Sequence, residues 1–154
     1  MSQVRTGNAY GVGIMTVIVG VTAGAVFYQG FYLPESLEVP SVDEHILHPT
    51  ADRIIDILVG SALPDQEENF VPKLVDIQLG VDNLVTWTNT DETPHTVTPD
   101  HSYADGYSGK FGSDGVLKAG ETYEFLFTEP AVIEYHCQPH PWMQGTLSIT
   151  KQRF

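Results

Sequence analysis

Four side chains in the C-terminal half of the chain have the residue types and spacing of a metal site. The segment Cys137-Gln-Pro-His140-Pro-Trp-Met143 gives a C-x2-H-x2-M pattern, and His95 lies farther upstream. A thiolate, two imidazoles and a weakly bound thioether form a soft-to-borderline donor set that is typical of electron-transfer copper sites. The sequence therefore predicts one copper per chain, held by His95, Cys137, His140 and Met143.

The spacing of Cys, His and Met within this segment would rarely arise by chance. With six His and three Met in 154 residues, chance places His three positions and Met six positions after a given Cys in fewer than about one case in a thousand. Pro139 and Pro141 fix the backbone φ angle on both sides of His140, so little loop entropy is lost when a metal binds. Met143 has a second interpretation, because a Met at this position also suits simple packing in a core.

The small numbers of cysteine and histidine residues exclude several other kinds of site. Cys137 is the only cysteine, so neither an intrachain disulfide nor a binuclear copper site with two cysteines can form. The remaining histidines are too few for the additional catalytic copper of a multicopper oxidase or a nitrite reductase. Structural zinc is disfavoured because Met is a poor zinc ligand, and nothing orients a base for a cysteine hydrolase. These four histidines are not expected to bind the copper: His45, His48, His101 and His136.

The elements that must position the ligands have the pattern of short β-strands. Apolar and polar residues alternate around residues 75–79, 85–88, 123–127 and 133–137, and turn residues separate these runs. Many short alternating strands without a long amphipathic helix predict an all-β fold, an antiparallel sandwich or barrel. The Gly-rich stretch 105–115 is expected to be a surface loop, and the spacing of Ser41 and Glu44 predicts one capped helical turn.

The N-terminal segment has the length and composition of a membrane-spanning helix. No charged residue lies between Arg5 and Glu35, and the apolar run from Ala9 to about Tyr28 matches a hydrocarbon core of about 30 Å. Aromatic residues cluster at its end, where an interfacial belt lies. Arg5 on the short N-terminal side predicts a single-pass anchor in the cell membrane with the copper domain on the extracytoplasmic side. The alternative is a cleaved signal peptide with Ala23-Gly24-Ala25 as its cleavage site.

These features predict three regions: a membrane anchor over residues 1–33, with the membrane contacts in residues 9–33, a polar linker over 34–52, and a copper domain over 53–154. The net charge of −13 argues against nucleic acid as a partner, because the phosphate backbone would repel it. An acidic surface also suits docking on a basic protein, and Asp65, Glu67 and Glu68 form either a solvated loop or part of such a surface.

The segment over residues 133–149, IEYHCQPHPWMQGTLSI, resembles the copper loop of amicyanin and the related plastocyanin- and halocyanin-type cupredoxins. The resemblance covers residues 54–151, with the first ligand, His95, at the end of FVPKLVDIQLGVDNLVTWTNTDETPHTV. It implies an eight-stranded Greek-key sandwich and a type 1 (blue) copper that cycles between Cu(II) and Cu(I). The two-residue gap before Met143 is similar to the amicyanin type. One departure is Thr96, where many relatives have an Asn that braces the two ligand loops.

Together these observations predict a membrane-tethered electron-transfer protein and not an enzyme. His140 is expected to be the ligand nearest to solvent, inside an apolar patch where a redox partner docks, formed by Pro94, Pro139, Pro141 and Trp142. Two alternatives stay open. The chain is a subunit fixed within a membrane oxidoreductase complex, for which Gly20 and Gly24 provide a GxxxG packing motif, or it is an open-site copper protein with small-molecule redox activity.

Overall fold

The computed structural model describes residues 7–32 and 41–151 and divides the chain into two compact units, Met1–Val39 and Pro40–Phe154. In the first unit, helix α1 spans Gly7–Phe27 and continues into a π-helical turn over Tyr28–Tyr32. The 20 residues Gly13–Tyr32 are long and apolar enough to cross a membrane, and their side chains are exposed all round. The flanking Arg5 lies outside the described residues.

The second unit is a β-sandwich, as predicted. Its strands are β1 Asp52–Ile57, β2 Phe70–Val71, β3 Leu74–Gln78, β4 Leu84–Asn89, β5 Thr98–Pro99, β6 Ala104–Asp105, β7 Gly109–Lys110, β8 Thr122–Leu126, β9 Ala131–Cys137 and β10 His140–Thr150. One sheet has the order β2-β1-β4-β8 and the other β3-β10-β9-β5, while β6 and β7 form a separate hairpin. Each sheet has four strands, which gives the eight expected strands.

The expectation of purely antiparallel sheets is wrong for two pairs. Strand β1 pairs with β4 in parallel, and β10 pairs with β3 in parallel, whereas the other pairs are antiparallel. In each parallel pair the two strands are not consecutive in the chain, so the connection between them crosses to other parts of the sandwich. The final strand thereby packs beside β3, and the copper loop joins two neighbouring strands of one sheet.

The core lies between the two sheets and is rich in aromatic side chains. Trp87 from one sheet meets Tyr135 from the other edge to face, with ring centroids 5.7 Å apart, and both are fully buried. Phe111 also lies in this core with no exposed surface, 5.6 Å from the Trp87 ring. The stretch 105–115, expected to be a surface loop, therefore contributes a central core residue. In the sequence, Phe111 lies in a glycine-rich stretch without a periodic pattern that would indicate its burial.

The segment that precedes β1 is tied to the sandwich. It contains the predicted helical turn, α2 Glu44–Leu47, whose N-cap is Asp43 without a side-chain capping hydrogen bond, and not Ser41. The buried Asn83 donates hydrogen bonds to the carbonyl oxygens of Ile46 (2.9 Å) and Phe127 (2.7 Å). These bonds fix the chain as it enters the sandwich. The limits 1–33, 34–52 and 53–154 remain predictions.

Candidate metal centre

Three of the four predicted ligands meet in one cluster. The Cys137 sulfur lies 3.6 Å from Nδ1 of His95 and 3.5 Å from Nδ1 of His140, and the two Nδ1 atoms are 3.2 Å apart. Within the described residues this is the group of His, Cys and acidic side chains whose donor atoms converge as a metal site requires. One sulfur and two imidazole nitrogens facing a common point fit copper by the softness of the donors.

Strand ends position these three side chains. Cys137 is the last residue of β9 and His140 the first of β10, and the two are partners across the ladder. His95 follows β4 in a loop whose backbone is fixed by reciprocal hydrogen bonds with Leu117, with N···O distances of 3.0 and 2.7 Å. Asn89 donates to the Leu117 carbonyl oxygen from within the same region, at 2.8 Å. Backbone hydrogen bonds thus fix the segments that carry the three donors.

Met143 lies three residues beyond His140, on the same strand. The pairing of β10 with β9 shifts between His140 and Gln144, so the segment that contains Met143 leaves the regular ladder. Its side chain is fully buried and packs in the hydrophobic core. Burial and the local irregularity suit a thioether near the cluster, but they also suit core packing, so a Met143 bond to copper stays a prediction.

Thr96 links the two ligand loops. Its hydroxyl oxygen accepts a hydrogen bond from the backbone N–H of Gln138 at 2.8 Å, and its own N–H points at the Cys137 sulfur at 3.3 Å. The Thr96 hydroxyl thus links the two ligand loops, the role that the resemblance assigns to an Asn. From the sequence alone this link between the loops was in doubt, because the hydrogen-bond partner of the Thr96 hydroxyl is known only from the folded arrangement of the two loops.

Asp91 is a functional residue that the sequence reasoning missed. Its Oδ2 lies 3.0 Å from Nε2 of His95, and both side chains are almost completely buried. Nδ1 of His95 therefore faces the cluster, and Nε2 of the same ring faces the Asp91 carboxylate. The signal in the sequence was an Asp four residues before the predicted ligand, which is too common a spacing to stand out among 20 acidic residues.

Comparison with known proteins assigns the family. A family model for copper binding proteins of the plastocyanin/azurin family matches residues 61–150, more than half of the chain. The chain belongs to this family: it is a cupredoxin. The matched region contains all four predicted ligands and omits the N-terminal helix, so the family assignment concerns the sandwich. Copper is accordingly the metal that the cluster of His95, Cys137 and His140 serves.

Individual relatives agree with the family. The cupredoxin is 32% identical over 75 residues to amicyanin of Paracoccus denitrificans and 31% identical over 75 residues to amicyanin-alpha of Methylorubrum extorquens. These matches cover 48% of this chain and 54% and 60% of the two relatives. The chain therefore spans somewhat more than half the length of the curated relatives that it matches.

Two solved structures share the fold. A purple cupredoxin from Nitrosopumilus maritimus is 29% identical with a TM-score of 0.52, and the match covers 64% of this chain and 100% of that one. A copper-containing nitrite reductase from Thermus scotoductus is 20% identical with a TM-score of 0.51, covering 73% of this chain and 28% of that one. The second likeness shows the fold alone.

The electrostatics of the cluster favour an ionised sulfur. Burial acts to raise the pKa of the Cys137 thiol, but hydrogen bonds from His95 and from the backbone of Thr96 lower it below its usual value. Burial acts to lower the pKa of His95, whereas its hydrogen bonds to Cys137 and Asp91 raise it above the usual value. For His140, burial and the neighbouring His95 lower the pKa. The cluster thus shifts the equilibrium of Cys137 toward the thiolate, the form in which Cys binds a metal.

The residues that were predicted to form an apolar patch around His140 are exposed. His140 is half-buried, and the residues predicted to surround it are all exposed: Pro94, Pro139, Pro141 and Trp142. The Trp142 ring lies 5.3 Å from the His140 ring, and its indole N–H donates to the Ser61 carbonyl oxygen at 3.1 Å. Trp142 is therefore held in place by the loop after β1. Its use as a docking surface remains a prediction.

The histidines that were not expected to be ligands lie apart from the cluster. His136 points to the other face of β9 and hydrogen bonds to Asp100. His48 pairs with Glu44 at 3.0 Å across one turn of α2, and His101 is exposed. His45 packs against Gly80, in whose position an added Cβ would lie 2.4 Å from the imidazole. The predicted ligand set stays a prediction.

Proposed function

We propose that this cupredoxin is a membrane-tethered carrier of single electrons between redox proteins, with one copper held by His95, Cys137, His140 and Met143. The observation that carries the proposal is the convergence of one sulfur and two imidazole nitrogens within 3.6 Å of one another at the end of a β-sandwich. When bound there, copper supplies a reversible one-electron couple.

The residues of the chain contribute rigidity. The backbone hydrogen bonds between His95 and Leu117, the Thr96 brace to Gln138, and the buried position of Cys137 hold the donors in one arrangement. A site whose donors do not move needs little rearrangement when the charge changes, so the barrier to electron transfer is low. Full burial of Cys137 and His95 also excludes water from two of the donors.

We assign His140 as the ligand through which the electron passes to the partner protein. His140 is the one member of the cluster that is not fully buried. The Trp142 ring lies 5.3 Å from its ring, and its exposed neighbours Pro139 and Pro141 are adjacent in the chain. A patch of this kind allows a partner protein to approach closely, because apolar rims release water on contact. The partner's chemistry is a redox protein with a matching apolar surface and, given the net charge of −13, a basic margin.

The tether is assigned to helix α1 and the turn that follows it. The length and composition of Gly13–Tyr32 support a membrane span, with residues 1–33 as anchor, 34–52 as linker and 53–154 as copper domain on the extracytoplasmic side. A cleaved signal sequence passes the same test of length and composition. In intact cells we expect the full-length mass of the protein in the carbonate-washed membrane fraction, with the copper domain open to external protease. A shortened, soluble form would refute the anchor.

Electron carriage is tested with the full chain in detergent. After copper loading, we expect stoichiometric reduction by ascorbate and reoxidation by ferricyanide over many cycles, with no loss of copper and no consumption of nitrite or nitric oxide. A Cys137→Ser variant, matched in size, is the control and should not cycle. Catalytic turnover of nitrite or nitric oxide would favour the small-molecule alternative, and stoichiometric co-purification with other membrane proteins would favour the complex subunit.

A further inference from the structure

Asp91 and His95 form a buried pair behind the metal cluster. The carboxylate oxygen Oδ2 lies 3.0 Å from Nε2 of His95, while Nδ1 of the same ring faces the Cys137 sulfur. The two side chains of the pair expose 0% (His95) and 6% (Asp91) of their surface. With copper bound through Nδ1, Nε2 would carry the ring proton and donate it to the Asp91 carboxylate in a hydrogen bond.

The backbone fixes the position of the carboxylate. Asp91 Oδ1 accepts the N–H of Glu92 at 2.8 Å, and the Asp91 N–H donates to Oδ1 of Asn89 at 2.9 Å. Asn89 also donates to the carbonyl oxygens of Thr93 and Leu117, which frame the loop that carries His95. The carboxylate therefore belongs to the same network that positions the ligand, and it cannot turn away without breaking its hydrogen bonds to His95 and to the Glu92 N–H.

The charge of Asp91 has one ion-pair partner among the described residues, namely His95. A negative charge in a water-excluded region acts strongly on a neighbouring cation, because the effective dielectric constant there is low. Transmitted through the imidazole, it raises the basicity of the ligand, as carboxylates behind metal-binding histidines do. The more positive oxidation state of a metal gains more from this charge than the less positive state.

We propose that Asp91 is a positioning residue that fixes the tautomer and orientation of His95 and biases the copper toward Cu(II), lowering its reduction potential. The inference rests on the proposed copper ligation by His95. It adds a regulator of the potential that lies outside the ligand set. The partner proteins that the cupredoxin can reduce or oxidise are therefore set in part by a residue that touches neither the metal nor the partner.

The test compares Asp91→Asn with Asp91→Glu in the copper-loaded full chain. Asn has nearly the same shape and can still accept a hydrogen bond from His95, but it lacks the charge, whereas Glu keeps the charge. The matched control is Glu92→Gln, which removes one negative charge from the neighbouring exposed residue. The reduction potential is measured by redox titration of the visible absorption, and Cu(II) affinity by competition with a chelator.

We expect Asp91→Asn to shift the reduction equilibrium about tenfold toward Cu(I), which is about 59 mV for a one-electron couple, and to weaken Cu(II) binding about 10-fold or more. Asp91→Glu should stay closer to the wild type than Asp91→Asn does, and Glu92→Gln should leave the potential unchanged. Equal potentials for the wild type and Asp91→Asn would overturn the inference. So would an equal shift in Asp91→Asn and Glu92→Gln.

A second measurement needs no variant. In the diamagnetic Cu(I) form of the wild type, nitrogen NMR should show the His95 proton on Nε2, in slow exchange with water. A proton on Nδ1 would overturn the inference. Failure of the wild type to bind copper would instead refute the proposed function, so the two failures are distinguishable.

Discussion

The sulfur of Cys137 is surrounded by groups that suit its anion. The Thr96 N–H lies 3.3 Å away, and Nδ1 atoms of His95 and His140 lie at 3.6 and 3.5 Å. A thiolate in a buried position needs such partners, because desolvation alone favours the neutral thiol. The site is therefore organised around one residue, and neighbouring residues act through their effect on it.

Met143→Leu tests the fourth ligand. Leu has a similar volume, so we expect the fold to lose less than about 1.5 kcal/mol. The variant should keep its copper but have a higher reduction potential, because the weak axial donor is lost and the axial ligand tunes the potential. Redox titration of the copper-loaded protein measures this. An unchanged potential would show that Met143 packs in the core without binding the metal.

Thr96→Val tests the brace between the ligand loops. Val keeps the shape of Thr but cannot accept a hydrogen bond from the partly buried Gln138 N–H, and the loss of one such bond costs about 0.5–1.5 kcal/mol. We expect a loss of this size in the free energy of unfolding of the copper-free protein, together with faster loss of copper to a chelator. Thr86→Val, on a half-buried position of β4, is the control and should change neither quantity. Equal effects of both changes would contradict the assigned role.

The ligands could be predicted from the sequence because a Cys, a His and a Met at this spacing are a rare combination. The residues that position the ligands were missed because an Asp or a Thr in a loop is common. A C-x2-H-x2-M segment at a strand end has few interpretations. Asp91 and Thr96 are ordinary loop residues whose partners, His95 and Gln138, become visible only when loops distant in sequence close on each other. Thr96 was recognised as a departure from relatives, but the hydrogen bond that replaces the Asn depends on local geometry.

At the scale of the elements, strands β9 and β10 connect the copper loop to the core. Tyr135 of β9 lies two residues before Cys137, and its buried ring packs directly against Gly145 of β10. A Cβ at position 145 would approach ring atoms of Tyr135 to 2.3–2.7 Å. Tyr135 has no exposed surface and packs against Trp87, so it has little room to move. Glycine at this position is required by contact and not by backbone conformation.

Gly145→Ala is therefore expected to destabilise the protein by about 1–3 kcal/mol, the usual cost of overpacking a core. Denaturant unfolding of the copper-free protein measures the change. Gly115→Ala is a matched control, because nothing lies within 4 Å of the added Cβ, and it should fall within about 0.5 kcal/mol of the wild type. Equal stabilities for Gly145→Ala and Gly115→Ala would show that the Tyr135 ring gives way.

The longer strands were predictable, but the two-residue strands and the arrangement of the sheets were not. Alternation of apolar and polar residues marks β4, β8 and β9, because one face of each strand is buried. The same alternation occurs in parallel and antiparallel pairs, so it could not predict that β1 lies parallel to β4 and β10 parallel to β3. Phe111 was missed because it lies in a glycine-rich stretch whose two aromatic residues, Tyr107 and Phe111, show no strand period.

At the scale of the whole molecule, the packed aromatic core makes the sandwich sensitive to alkali. Burial raises the pKa of Tyr103 to about 12, helped by the neighbouring charge of Asp105, and burial also raises the pKa of Tyr123 to about 12. An unfolded tyrosine ionises near pH 10. Between these values the unfolded chain binds fewer protons than the folded one, so stability falls as the pH rises.

We expect each of these two tyrosines to remove at most about 1.4 kcal/mol of stability per pH unit between pH 10 and 12, and neither to have an effect below pH 9. Denaturant unfolding at several pH values measures the slope. In parallel, absorbance titration of the folded protein should show a late group of tyrosines near pH 12. Complete ionisation of all tyrosines near pH 10 in the folded protein would contradict the buried positions.

The most direct test of the account is Cu(II) titration of the purified full chain in detergent, followed by visible absorption and electron paramagnetic resonance. We predict one equivalent of copper per chain, an intense visible thiolate-to-copper band, a small copper hyperfine splitting, and complete protection of Cys137 from alkylation at the end point. A colourless protein at one equivalent, with the Cys137 thiol still open to alkylation, would contradict the central claim that this sulfur and the two imidazoles together bind copper.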